Sequence, residues 1–491
     1  VKVFNLAFLQ KSTLNPLTMN LFSIKKWGFA MLVASAGIAA CTDEYLEITP
    51  QNLTDDAAFF SSPAKAQEAL NGAYDALAFD NFLSGHCQFL AELMADNIDG
   101  ARINNSDWLA HYTWTTDIFL GTTFSVMQDG YRPVGRANYL IDKIDLVPGL
   151  GEADKKRLLA EAKFVRAVSH FELVRLFAQP YGYTADNSHL GIPLRTKFGR
   201  DLIPRATVQQ VYDQVISDLN EAAANLPASN NGYATSWAAK GYLAKVYFQM
   251  NRFEDALRES RDLALGNAPF QLDTSVTLRF RQNDNPENIF ALRSSDFDSD
   301  NSGKRFRDNY RQDASTKIAA AYASASTYES ATLDPNDQRG KQWYLPAAFG
   351  PLTVYAVKKF PTERADGAGV VPLVSMSEIA LIFAESAAER NTDLALAAAQ
   401  VEAIQSRAGV APNCPAEAVL IIEKAREQRR LELVFEGNRL HELKRQAVRG
   451  NTGLRVRNVA PWNCPGLVCQ FPAGELQANA EVEPNPTGGC Q

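Results

Sequence analysis

The densest run of chemistry-bearing side chains lies between residues 423 and 445. Glu427, Glu432 and Glu436 could supply an acid and a base. Arg426, Arg429, Arg430 and Arg439 are interleaved with them. Guanidiniums at such spacing favour the ionised carboxylate, and an ionised, paired acid has no proton to donate. The pattern therefore points to a structural ion-pair network rather than to catalysis. His441-Glu442 opens like a zinc-protease helix, but Arg445 stands where the second His belongs. The His residues, at 86, 111, 170, 189 and 441, lack metal-site spacing. Asp296, Asp298 and Asp300 begin like a calcium loop. Asn301 then replaces the turn Gly and Arg307 the bidentate Glu, so a solvated acidic loop is expected. No G-x-S-x-G, P-loop or dinucleotide-binding Gly cluster occurs. Neither a catalytic residue nor a metal or cofactor site is expected.

Stacking chemistry is better represented. Trp108, Tyr112 and Trp114 lie beside Asn104, Asn105 and Asp107, and Trp343-Tyr344 follows Arg339 and Lys341. Asp96-Asn97 and Asp99-Gly100 are loop signals just upstream. A sugar ring presents polarised C–H groups that stack on an electron-rich aromatic face. Amides and carboxylates nearby can bond its hydroxyls. The candidate ligand contacts are Asp96, Asn97, Trp108, Tyr112, Trp114, Trp343 and Tyr344. The competing role for each ring is core packing, since Trp is mostly buried in folded proteins.

The elements that must position these residues are helical. The chain has 491 residues, 46% hydrophobic and 21% charged, which are globular proportions. Its formal charge of −7 disfavours general binding to nucleic acid. Phe164, Ala167, Phe171, Val174 and Ala178 form one helical stripe that Pro180 ends. Val208, Val211, Tyr212, Val215 and Leu219 form another, with Thr207 as its cap. Helices over about 235–250 and 252–265 carry tetratricopeptide offsets through Leu243, Ala244, Tyr247, Asn251, Phe253 and Ala256. A second pair is expected over 376–389 and 393–408, and a last helix over about 416–446. Such hairpins must stack to bury their faces. The expected fold is all-α: a tetratricopeptide-like superhelix of hairpins with long irregular loop insertions. Residues 41–265 should form an N-terminal repeat part, 266–375 an irregular ligand-side insertion, and 376–491 a C-terminal helical part and tail. Residues 81–130 also read as mixed and loop-rich.

The first forty residues read as an address. Lys25-Lys26, the apolar run from Trp27 to Ala36, and Ile38-Ala39-Ala40-Cys41 have the order of a lipoprotein signal peptide, with Met19 as its natural start. Cys41 is the expected lipidation site, which would tether the body to a membrane without a spanning helix. Among the later cysteines, Cys464 and Cys469 could pair, or either could reach Cys414 or Cys490.

Taken in order, these pieces resemble the SusD/RagB family of nutrient-binding outer-membrane lipoproteins. Glu161-Ala162-Lys163-Phe164 through Pro180-Tyr181 is similar to the family's first strong helix. Arg205-Ala206-Thr207-Val208 through Asp218-Leu219 resembles its next segment, and Asp334-Pro335-Asn336-Asp337-Gln338-Arg339 its D-P-x-D-x-R turn. Arg429 to Arg439 matches the pattern R-x-x-E-L-x-F-E-G-x-R, and Phe471-Pro472 with Glu475-Leu476 resembles the closing segment. Glu442 stands for the family's usual Asp. The resemblance implies binding without catalysis: capture of an oligosaccharide at the cell surface and delivery to a SusC-like TonB-dependent transporter. Loops 96–116 and 294–345 would then serve the ligand, and the repeats the partner. An all-α glycoside hydrolase and a protein-only tetratricopeptide scaffold are the competing functions.

Overall fold

The structure, a computed structural model, describes residues 55–100, 103–293, 308–310, 319–361 and 369–490. The address segment with Cys41 and the acidic run Asp296, Asp298, Asp300 lie outside the described residues. The chain divides into two units, Val1–Phe59 and Phe60–Gln491. In the first, a single short helix is described, α1 (Asp56–Phe59). Everything below concerns the second.

The second unit begins with α2 (Pro63–Leu77), whose Ser62 accepts a hydrogen bond from the Lys65 amide as N-cap. Then come α3 (His86–Met94), α4 (Ser106–Tyr112), α5 (Gly121–Lys143) and α6 (Glu152–Phe177). The expected loop-rich character of 81–130 gives way to helix here. Gly121, Gly130, Pro133 and Gly135 disguise α5 in the sequence. Gly130 is needed by packing, since a Cβ there would lie 2.6 Å from the Leu173 side chain of α6. Next, β2 (Leu190–Pro193) pairs with β3 (Arg205–Thr207), and α7 (Val208–Asn225) opens with a capping box between Thr207 and Gln210.

The two hairpins are α8 (Ser236–Gln249) with α9 (Phe253–Ala264), and, beyond the insertion, α12 (Met376–Glu389) with α13 (Leu394–Arg407). Both turn on an asparagine in the left-handed region, Asn251 at φ 57° and Asn391 at φ 51°. Asparagine tolerates that conformation, which is how the turns manage without glycine. Successive helices pack side by side: α2 on α5, α5 on α6, α6 on α7, α7 on α8, α9 on α12. A seam of Ala384, Ala387, Ala397 and Ala398 lets α12 and α13 approach closely, with Val401, Ile404 and Ile421 filling beside them.

The insertion supplies α10 (Ala325–Thr332) and α11 (Gln338–Trp343). It also supplies most of a small antiparallel sheet ordered β1-β5-β7-β6, made of Ile98–Asp99, Tyr322–Ala323, Leu352–Val357 and Tyr344–Phe349. Here β1 is contributed from the end of α3, so the insertion is stitched to the N-terminal helices. A separate pair, β4 (Asn288–Leu292) with β8 (Val371–Ser375), leads into α12.

The expected last helix is two. After α14 (Ala418–Glu432) the chain turns sharply and resumes as α15 (Arg439–Arg449). Phe435 (φ 66°) and Gly437 (φ 80°) make the corner. Only glycine fits at 437, because a Cβ would fall 2.6 Å from the Gln88 backbone. Lys359 closes the end of α14 by donating to the carbonyls of Glu432 and Val434, each at 2.8 Å.

That corner is set in a buried charge cluster. Glu432, fully buried, meets Arg407 at 2.5 Å, Arg279 at 3.3 Å and Arg339 at 3.4 Å. Glu287 pairs with Arg279 at 2.8 Å and Arg407 at 3.1 Å; Glu436 pairs with Arg279 and Lys359, each at 2.6 Å. Asp337 holds Arg339 at 2.8 Å. Four cations thus face four anions. Burial raises the Glu432 carboxyl, but the charges of Arg407, Arg279 and Arg339 outweigh it and hold the group below the usual carboxylate range. A disulfide, Cys464–Cys490, ties the tail, while Cys87, Cys414 and Cys469 are free.

Replacing Glu432 with Gln leaves four cations facing three anions, one positive charge uncompensated in the interior, and should cost about 3–5 kcal/mol in denaturant unfolding. A carboxyl lowered in the folded state gives stability that is present above its ordinary 4.5 and fades as pH falls through the folded value. E432Q should therefore show a shallower loss of Tm below pH 4.5 than the parent chain.

Candidate functional site

Several of the residues chosen for stacking and polar contact converge on Asp96, just after α3. Its carboxylate accepts two hydrogen bonds from Arg439, at 2.7 and 2.8 Å, in the parallel fork that guanidinium and carboxylate form together. Arg430 approaches the same carboxylate at 3.9 Å. Burial pushes the Asp96 carboxyl up, but the bonds and charges of Arg439 and Arg430 hold it below its ordinary value. Both arginines project from the α14–α15 corner, so the buried cluster sets where they stand.

On another side of Asp96 is an aromatic sandwich. α4 is capped by Asn105, whose side chain accepts from the Trp108 amide at 3.0 Å. The chain leaves α4 through Trp114 in the left-handed region (φ 58°). Between the Tyr112 and Trp114 rings lies the guanidinium of Arg457, 3.8 Å from each centroid. Arg457 comes from the turn joining β9 (Arg455–Val456) to β10 (Ala460–Pro461) and donates to the Tyr112 carbonyl. Burial lowers this guanidinium, with Asp96 among the charges that oppose the shift. Tyr112 is half-buried; Trp114 is buried at 8% exposure, its indole donating to the Met94 carbonyl at 3.0 Å. Gly100 makes room, for a Cβ there would stand 2.0 Å from the Tyr112 ring.

Trp108 is half-buried and sets its face against the edge of Phe89, 5.1 Å between centroids. Phe89 in turn meets Tyr310 at 5.6 Å, so the 96–116 region and the described 308–310 piece of the insertion share one ring cluster. Three more candidates are interior. Asn97 and Trp343 have 0% exposure and offer a ligand no surface. Asn97 donates to Glu92 at 2.8 Å, and Trp343 lies under the Lys359 ammonium at 4.3 Å. Tyr344, at 5% exposure, packs on Phe435 and Tyr328. The expected set therefore separates into the half-buried Asp96, Tyr112 and Trp108, and four buried packing residues, Asn97, Trp114, Trp343 and Tyr344. Arg457 was not among the sequence candidates, and Arg430 was read only as a network cation.

The recess contains two carboxyls of opposed character, which is how acid and nucleophile are told apart in glycosidases. Burial raises Glu92 to about 7, against hydrogen bonds from Asn97 and the Gly437 amide. Asp96 stays ionised. However, Glu92 has 0% exposure with both oxygens bonded, and Asp96 is forked by Arg439. Both carboxyls are thus engaged by protein donors.

Two family models match the chain. One, described as starch-binding associating with outer membrane, matches residues 44–248, and the SusD family model matches residues 353–459. A SusD-like protein of Bacteroides ovatus is 27% identical over 52% of this chain and 47% of its own length, so the chain spans about half of that relative. SusD-like protein P2 of Formosa agariphila is 23% identical over 95% of this chain and 100% of its own. Among solved structures, a SusD superfamily protein from Bacteroides thetaiotaomicron superposes with a TM-score of 0.75 at 22% identity, covering 87% of this chain and 100% of that one. A SusD-like carbohydrate binding protein from Bacteroides vulgatus gives 0.66 at 19% identity, over 79% and 84%. At such identities the structures establish the fold, a superhelix of tetratricopeptide type.

The raised Glu92 carries a pH signature. Its folded value of about 7 exceeds the ordinary 4.5, so the folded state holds the proton more tightly and stability declines as pH rises from 4.5 through 7. Glu92→Gln should flatten the decline, gaining up to about 3 kcal/mol relative to the parent at pH 8 in denaturant titrations.

Proposed function

From the premise that the chain belongs to the SusD/RagB family, we propose that it is a cell-surface lipoprotein that captures oligosaccharides. Acylation would occur at Cys41, and delivery would be to a SusC-like TonB-dependent transporter of the outer membrane. The observation that carries the binding role is the recess at Asp96. There Tyr112, half-exposed and backed by Arg457, stands near Trp108, half-exposed on α4. Stacking of a sugar on a ring contributes without chemistry, and a rigid ring held by a cation on its far side loses little freedom on binding. The structural neighbour from Bacteroides vulgatus described as a carbohydrate binding protein, and the family model described as starch-binding, support the same ligand class.

The enzyme alternative needs two carboxyls facing a sugar, roughly 5–10 Å apart. The pair best suited by charge, Glu92 and Asp96, is occupied by protein partners, which favours capture over hydrolysis. The protein-only scaffold would leave the rings without a task.

Affinity electrophoresis against a panel of polysaccharides tests the proposal, with Trp108→Ala/Tyr112→Ala as the comparison. The parent should be retarded by at least one glycan, and the double variant should lose about tenfold or more in affinity, at about 1–1.5 kcal/mol per stacked ring. Gly100→Ala should weaken binding too, by displacing Tyr112, while leaving far-UV circular dichroism unchanged. Retardation by no glycan, or undiminished retardation of the double variant, would count against the recess.

A further inference from the structure

Arginine, not only aromatic carbon, distinguishes the recess. Two guanidiniums, Arg439 and Arg430, meet the ionised Asp96 carboxylate, and a third, Arg457, feels its charge. Arg439 neutralises Asp96 by forking it at 2.7 and 2.8 Å. Two positive charges are left over. Arg430 stands 3.9 Å from Asp96, beyond hydrogen-bond length, and its Nε has no hydrogen-bond partner among the described residues. Its side chain is 29% exposed. Arg457 makes one hydrogen bond, to the Tyr112 carbonyl, and its Nε is likewise without a partner. Glu92, the other carboxyl at hand, is bonded to Asn97 and Gly437 and buried.

An arginine has five N–H donors in a planar fork. The two Nε atoms are buried, so the donors of Arg430 available to a ligand are those on its exposed part. Neutral sugar hydroxyls would satisfy them poorly, whereas a carboxylate or a sulfate ester matches both charge and fork. We infer that this recess selects acidic oligosaccharides, with Arg430 and Arg457 receiving a uronate carboxylate or a sugar sulfate while Tyr112 stacks on a neighbouring ring. The inference rests on the capture role proposed above and narrows its ligand class. Arg430 is the principal determinant, being the less engaged of the two. Arg457 has a second task, since it also holds Tyr112 against Trp114.

The probes are oligogalacturonates and oligosaccharides of sulfated galactan, each paired with its carboxyl-reduced or desulfated counterpart, together with maltoheptaose, measured by isothermal titration calorimetry. The whole chain should bind at least one acidic probe about tenfold or more tightly than its uncharged counterpart, as a charge-assisted contact would give. That preference should shrink as sodium chloride is raised. Arg430→Gln should abolish the preference, bringing the ratio of charged to uncharged affinity to about one. Arg457→Lys, which keeps the charge but not the fork, should lower affinity for the acidic probe while retaining part of its salt dependence. Which acidic probe responds tells carboxylate from sulfate. Equal affinity for charged and uncharged members of each pair would overturn the inference and leave glycan capture standing. An unaltered preference in folded Arg430→Gln would also overturn it. Absence of binding to any probe and to the wider polysaccharide panel would remove the capture role itself.

Discussion

Everything in the fold converges on one buried carboxylate, Glu432, and the three guanidiniums around it. The partners come from separate parts of the chain. Arg279, Arg339 and Lys359 belong to the insertion, Arg407 to α13, and Glu436 to the corner after α14. Apolar packing alone would let the insertion settle on the helices in several registers, because alanine and leucine faces are interchangeable. A balanced set of ions is not, for any slip strands a charge in the interior. The network therefore contributes more to uniqueness than to net stability. It also explains why α12, buried on every side, carries glutamates: Glu378 meets Lys245 and Arg429, and Glu385 meets Arg445 and Arg426.

The same corner transmits this rigidity to the surface. Gly437 donates to Glu92, which fixes the end of α3 against the start of α15. Two residues later Arg439 forks Asp96. Core and recess are thus joined by consecutive backbone, with no flexible linker between them. A binding site built in this way is preorganised, so little of its affinity is lost to ordering.

How far the sequence discloses this depends on the distance over which each signal acts. The hairpins α8–α9 and α12–α13 are legible because their 3.6-residue periodicity and turn asparagines are local. The cap at Thr207 is legible for the same reason. The helix α5 is hidden by its own glycines and proline, whose tolerance is explained only by the neighbouring α6 side chain at Gly130. The corner at Phe435–Gly437 interrupts a charge pattern that by itself reads as continuous helix. Its cause, the close approach of Gln88, lies far away in the chain. Ring positions are subtler still. Trp108 and Trp343 are equivalent as letters, yet one is half-exposed and the other has an ammonium over its face and no exposure. Arg457 is the extreme case, meeting Tyr112 across a separation of 345 residues through a short turn between β9 and β10 that bears no mark of its role.

That asymmetry has a consequence for what the recess can do. Its carboxyls are engaged with protein donors, and its cations are engaged only in part. A site whose bases and acids are occupied has no group to move a proton, whatever sugar lies in it. A site with open guanidinium donors attracts and orients acceptors, and releases them when the competing salt or a second surface offers more. Capture followed by transfer asks for the second arrangement and is hindered by the first. Under the proposed function, selection of the bound molecule by charge and its survival intact would both follow from one distribution of hydrogen bonds around Asp96.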